Sequence, residues 1–244
     1  MPIAKMRLHG RMTVVLALRC VDGVVLGSDS QITDSARGLS YPAQKLHPFG
    51  DKAAWGGSGS RAVLYDLEQM FDGCAAAVLG SENIGHAVQE RVVPVLRRHY
   101  DQFVEQVPGE KQSGATPATY VLVAGFADGQ PFIVDIDPHG LIGRYEEVGF
   151  HAVGSGAPMA QQAGALLAHF RMTERDVDYG VVAVVRILDT LGITSPSIGG
   201  PKDVYRITAE EATALSDKDI ARVRKQVERW SDLESKALDE LFDG

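Results

Sequence analysis

A threonine follows a methionine at the head of an apolar run, GRMTVVLALR (residues 10–19). Removal of the chain up to Met12 would give Thr13 a free amine beside its own hydroxyl, a weak base and a nucleophile in one residue. Two further polar side chains stand on segments otherwise built from valine, leucine and isoleucine. They are Asp29 in GVVLGSDSQIT (23–33) and Lys45 at the start of KLHPFG (45–50). A lone buried charge is expensive, and pairing the two relieves it. An ammonium so placed would depress nearby pKa values and activate a threonine hydroxyl for acyl transfer. The same residues also read as an ordinary strand threonine and an exposed ion pair, both common. Spacing alone leaves both readings open.

Other chemistries fail at their motifs. GGSGS (56–60) lacks the final glycine of a nucleophile elbow, the Lys-Ser/Thr of a Walker loop and the last glycine of a dinucleotide fingerprint. None of the seven histidines falls at HExxH or other metal-ligand spacing. His151, ahead of an apolar strand, reads as structural or exposed. No metal or other cofactor is called for. A net charge of −8 without any Lys/Arg run argues against a nucleic-acid partner. The only cysteines, Cys20 and Cys74, make neither a CxxC nor a disulfide ladder, which fits a reducing compartment. MPIAKMRLHGR at the start has no apolar core of signal-peptide length, and no stretch approaches the roughly 20 apolar residues of a membrane span. The expectation is a cytoplasmic protein without a membrane partner.

The elements that must carry Thr13, Asp29 and Lys45 follow from hydrophobic period. Strands are expected over 13–20 and 23–33, a hairpin joined at Asp22-Gly23, then over 45–50 and 52–59 with Asp51-Lys52 as their turn. From Ser60 to Gly80 the apolar residues recur at helical spacing, and a second helix over 82–107 carries Pro94 as a kink or break before Pro108-Gly109 ends it. Residues 109–117 read as a loop. Strands resume over 118–126 and 130–137 across Asp128-Gly129, and strand-like pieces continue to HAVGSG (151–156). Helices are expected around 156–170 and 174–192, the second capped by Thr173. The loop GITSPSIGGPK (192–202), a strand over 203–208 and an amphipathic helix from Ser216 to Phe242 complete the chain. Strands and helices in separate blocks predict an α+β layered arrangement, and the absence of a repeat or linker predicts one domain over 13–244.

TVVLALRCVDGVVLGSDSQIT, AQKL and WGGSGS together resemble the opening of proteasome β-type subunits, within the N-terminal nucleophile hydrolases. Over the 47 residues from Thr13 to Gly59 the register holds without a gap. The resemblance puts Thr13 on the nucleophile, Asp29 on the acid that orients the lysine, Lys45 on that lysine and Gly59 on the oxyanion-hole glycine. VGSGAP (153–158) resembles the segment whose serine hydrogen-bonds near the terminal amine, which implicates Ser155. Weaker similarity runs on to SIGGP and VYRI. TSPSIGG departs from the pattern: Ser195 aligns with an expected aspartate and Ile198 with an expected serine, for which Ser197 is the local substitute. The residue before the threonine is Met12 rather than the glycine of proteasomal propeptides. That resembles the Met-Thr start of the bacterial ancestral β subunits, so residues 1–12 are expected to be an upstream extension that is removed.

The resemblance implies a four-layer αββα sandwich and a threonine peptidase acting on peptides or unfolded chains. It further implies a homo-oligomeric ring with an ATPase or an α-type ring as partner. For substrate it implies main-chain pairing at Thr33, and a pocket walled by Ile32, Ala43, Gly57 and Arg61. Gly57 would leave that pocket roomy and Arg61 would favour an acidic side chain. A catalytically silent subunit of the same fold and a small-molecule amidase or acyltransferase are the alternatives.

Overall fold

A computed structural model describes residues 13–34, 39–105, 116–195 and 198–242. In chain order β1 (Val15–Arg19) and β2 (Gly23–Asp29) form a hairpin, followed by β3 (Gln31–Asp34), β4 (Leu39–Pro42), β5 (Leu46–Pro48) and β6 (Ala53–Gly59). Helices α1 (Arg61–Asp72), α2 (Ala75–Leu79) and α3 (Ile84–Asp101) come next. Strands β7 (Thr119–Ala127), β8 (Gln130–Ile136), β9 (Ile142–Arg144) and β10 (Phe150–Val153) precede α4 (Ala157–Leu167) and α5 (Val177–Thr194). The chain closes with β11 (Lys202–Thr208), β12 (Ala212–Ala214) and α6 (Asp217–Phe242).

Two antiparallel five-stranded sheets result, in the orders β10-β1-β2-β11-β12 and β5-β6-β7-β8-β9, with β3 and β4 paired apart from them. Side chains alternate along each strand, so each sheet presents one set to its partner and one to helices. On β1, Val15 and Ala17 face the other sheet, packing with Leu26, Leu122 and Ile133. Val14, Leu16 and Leu18 face α5, against Val181, Val184 and Leu188. The second sheet repeats this: Leu122 and Ala124 of β7 look inward, while Val121 and Val123 meet Val63, Leu67 and Val88 of α1 and α3. Burial on both faces explains why these strands read as unbroken apolar runs. The molecule is the four-layer αββα sandwich, of class α+β.

Several boundaries differ from the sequence expectation, each for a local reason. The segment 23–33 is two strands, because Asp29 accepts the Gln31 amide and Ser30 bonds Pro201 and Ala43, turning the chain out of the sheet. The hairpin at Asp22-Gly23 forms, with Cys20 and Gly23 closing it. Asp22 serves to accept the Val177 amide and fix the hairpin on α5. At the second hairpin Asp128 (φ 50°) and Gly129 (φ 71°) make the left-handed turn that an Asp-Gly pair favours. The helix expected over 60–80 breaks at Gly73, a poor helix former. Helix α3 passes through Pro94 unbroken and stops at Asp101, short of Val107, which lies outside the described residues with most of the loop after it. Asp176, not Thr173, caps α5, its carboxylate accepting the Asp178 and Tyr179 amides. Strand β12 was not expected from sequence.

Candidate active site

Thr13 stands just ahead of β1, and three neighbours hold its backbone. Its N–H donates to Ser155 Oγ at 3.1 Å, its carbonyl accepts from the Gly156 N–H at 3.1 Å, and the next amide, Val14, donates to Asp29 Oδ1 at 3.1 Å. Lys45, immediately before β5, donates from Nζ to both Asp29 oxygens at 2.9 Å and to Thr13 Oγ1 at 3.3 Å. Asp29 is fully buried and Lys45 nearly so. The carboxylate is held by the Val14 and Gln31 amides as well as the ammonium, so its lone pairs are met despite its depth. Burial pushes the Lys45 ammonium below its ordinary 10.5, while Asp29 and Asp203 oppose that shift. Asp203, one residue into β11, also accepts the Lys45 amide at 2.9 Å and fixes the lysine's backbone.

Gly59 closes β6 at φ 148°, and a Cβ there would collide with the Ala118 carbonyl and stand 2.7 Å from Thr119 Oγ1. Only glycine fits this bend. Gly154 (φ 96°) lets β10 turn over the Thr13 carbonyl: a Cβ there would collide with that oxygen and stand 2.9 Å from Ser58 Oγ. The end of β6 and the β10–α4 turn therefore meet at Thr13, one from each sheet.

The tertiary fold thus brings Thr13, Asp29, Lys45 and Ser155 into direct hydrogen-bond contact across 142 residues of sequence. Ser195 ends α5 as a buried residue, its amide bonded to Leu191 and its carbonyl to Ile198. Ile198 is buried and lies against Gly156 and the core around Val14. Ser197 lies outside the described residues. Ile32 and Thr33 sit on β3, opposite Tyr41 and Ser40 of β4, and Ala43 is tied to Ser30 by its amide at 2.7 Å. The Leu64 side chain takes up the space that Gly57 leaves. Arg61 opens α1 and donates to the Tyr41 hydroxyl at 2.9 Å. Asp203, Gly154, Gly156, Ser58 and Tyr41 were missed by sequence reasoning. Asp203 was visible only as one residue of a strand, and the glycines only as part of VGSGAP.

Among the described residues no group of His, Cys, Asp and Glu could hold a metal ion, and no helix is long and apolar enough to cross a membrane.

The sandwich and the convergence of both sheets on one threonine define the N-terminal nucleophile hydrolase class of fold. Residues 10–190 match the family model described as proteasome subunit, so the chain belongs to the proteasome subunit family. Proteasome subunit beta 1 of Streptomyces avermitilis is 27% identical over 210 residues, covering 82% of this chain and 67% of the relative. Proteasome subunit beta of Methanococcus vannielii is 26% identical over 222 residues, 88% of this chain and 92% of the relative. Among solved structures, an Anbu (Gly-1) mutant from Hyphomicrobium sp. strain MC1 superposes with a TM-score of 0.70 at 16% identity, covering 94% and 99% of the two chains. Anbu, the ancestral beta-subunit, from Yersinia bercovieri gives 0.68 at 16% identity over 93% and 97%. The helical assembly of the Anbu complex from Pseudomonas aeruginosa gives 0.68 at 15% over 93% and 96%. Proteasome β-type subunits and their ancestral relatives are the proteins this chain is similar to.

Proposed function

We propose that this protein is a threonine peptidase whose nucleophile is Thr13, exposed by removal of residues 1–12. One observation carries the reading: the Lys45 ammonium stands 3.3 Å from Thr13 Oγ1 while fully engaged by Asp29. In the intact chain the Thr13 nitrogen is an amide and no base; once freed it is an α-amine beside that cation. Thr13 Oγ attacks the peptide carbonyl, and its hydroxyl proton passes to the α-amine, whose pKa the Lys45 charge lowers. The Gly59 N–H takes the oxyanion of the tetrahedral intermediate. Collapse breaks the C–N bond, the α-ammonium returns its proton to the departing amine, and an ester remains on Thr13. Water, deprotonated by the same amine, then releases the acid. Ser155 holds the amine in place, and Asp29 holds Lys45.

Substrate is an extended peptide or unfolded chain lying along β3, paired with the Thr33 backbone, with Ile32, Ala43 and Arg61 around one side chain and Leu64 narrowing the room that Gly57 leaves. Family membership and the helical assembly of the Pseudomonas aeruginosa protein support a ring or helical homo-oligomer. We place that assembly in the cytoplasm with its sites facing inward, served by an ATPase or an α-type ring.

A second reading, a catalytically silent structural subunit, is favoured by the buried Ile198 beside Gly156, where a hydroxyl is expected. The test is capture by a peptide epoxide. Chain purified from its host and chain starting at Thr13 are each treated, and the adduct is located by mass spectrometry. Modification of Thr13, absent in Thr13→Ala, with hydrolysis of a peptide panel, is the expected result. No adduct on the Thr13-initiated chain at any pH would overturn the peptidase and leave the silent subunit.

A further inference from the structure

Lys202 opens β11 directly opposite Asp29 in the β2–β11 register. Residues so paired share a face, with Cβ atoms about 5 Å apart. Lys202 is only 7% exposed, yet among the described residues no hydrogen bond or ion pair closes on its ammonium. A lysine near a surface normally extends its head group into water. Here the stem is buried and Nζ lies against the end of α5, 3.9 Å from the place of a Cβ on Gly192, itself 3.5 Å from the Ile198 carbonyl oxygen. Asp189, one helical turn earlier on α5, is engaged by Arg224 of α6 through Nε and Nη2, both at 3.2 Å. The charges therefore alternate from Thr13 outwards: Lys45, Asp29, Lys202, Asp189, Arg224.

We propose that Lys202 is a positioning residue of the threonine site, its largely buried side chain set across from Asp29 so that its charge bears on the Asp29–Lys45 pair that faces Thr13. The inference rests on the reading of Thr13 as the nucleophile. Two cations on one buried carboxylate each weaken the other's hold on a proton, because the interaction is mutual and little screened at depth. Burial pushes Lys202 below its ordinary 10.5, Asp189 and Asp29 oppose this, and Arg224 and Lys45 add to it. The groups facing Lys45 are Asp29, Asp203 and Thr13. The added positive field also favours the neutral, basic form of a freed Thr13 amine.

Two readouts on the chain beginning at Thr13 test the proposal. In lysines labelled at Cε, the Lys45 titration midpoint should rise by about half a unit or more in Lys202→Met. It should stay in place in Lys202→Arg; Lys202→Gln serves as a second neutral variant should the methionine chain fold poorly. In the pH profile of Thr13 capture by the peptide epoxide, the acid limb should move to higher pH in the neutral variants and return in Lys202→Arg. An unmoved Lys45 midpoint, or capture lowered equally at every pH with no limb shift, would overturn the proposal. A shifted Lys45 midpoint in a chain that no epoxide labels would uphold the coupling and sink the nucleophile reading instead.

Discussion

At the residue scale the decisive group is Asp29. It is fully buried and answers two backbone amides and an ammonium, so it organises the start of β1, the exit of β2 and the lysine at once. Removing one partner of a buried pair leaves the other charge uncompensated, which costs about 3–5 kcal/mol. Asp29→Asn and Lys45→Met should each destabilise the chain by roughly that amount in urea unfolding. The double variant should cost clearly less than the sum, since neither charge is then stranded. Additive losses would show that the two groups do not depend on one another. Asp29 and Lys45 were legible in the sequence as polar interruptions of apolar segments. Asp203, which fixes the Lys45 backbone from 158 residues away, was not, because nothing in DVYRIT distinguishes it from an ordinary outward strand residue.

At the element scale, ends matter more than interiors. Helix α5 starts where Asp176 can accept two amides, so Asp176→Ala should cost about 1 kcal/mol, and Thr173→Ala distinctly less. Equal losses on chemical denaturation would contradict this cap. The β1–β2 hairpin carries its own pH signature. Burial, reinforced by Asp22 and Asp176, pushes the Cys20 thiol from 9.0 up to about 12. The folded state therefore favours the neutral thiol. That contribution is fully present below pH 9, where the unfolded thiol is also neutral, and is lost as pH rises from 9 towards 12. Cys20→Ala should flatten the stability loss over that interval, and the native Cys20 should resist alkylation at pH 8.5. Rapid alkylation of the folded chain would refute its burial.

At the scale of the whole molecule the sandwich is held by three apolar layers, of which the one between the sheets lies beside Thr13. Helix α6 takes part in this through its residues up to Glu234. Ile220 and Val223 are buried, Trp230 meets Phe170 edge-on and lies 4.0 Å under the Arg186 guanidinium, and Glu234 pairs with that same arginine. Beyond it Leu238, Leu241 and Phe242 are exposed. Truncation after Ser235 should leave the unfolding free energy of the dissociated chain within about 0.5 kcal/mol. A larger loss would mean that the last two turns pack on the fold.

Sequence by itself marked the central strands of the sandwich, because burial on both faces leaves β-branched runs such as TVVLALR and YVLVAGF between turn residues. It also showed Thr13, Asp29 and Lys45 as polar residues among apolar neighbours, and the resemblance to proteasome β-type subunits made them the candidate nucleophile, its acid and its lysine. Tertiary structure brought Ser155, which the resemblance had implicated, to the Thr13 nitrogen, and it alone decided that Gly154 and Ser58 meet at the Thr13 carbonyl. It alone placed Lys202 across from Asp29 and filled the space at Gly57 with Leu64. Most of these contacts join segments remote in the chain, within one sheet or between the two. They are set by sheet order and register, and no local pattern of residue types encodes which far segment arrives alongside.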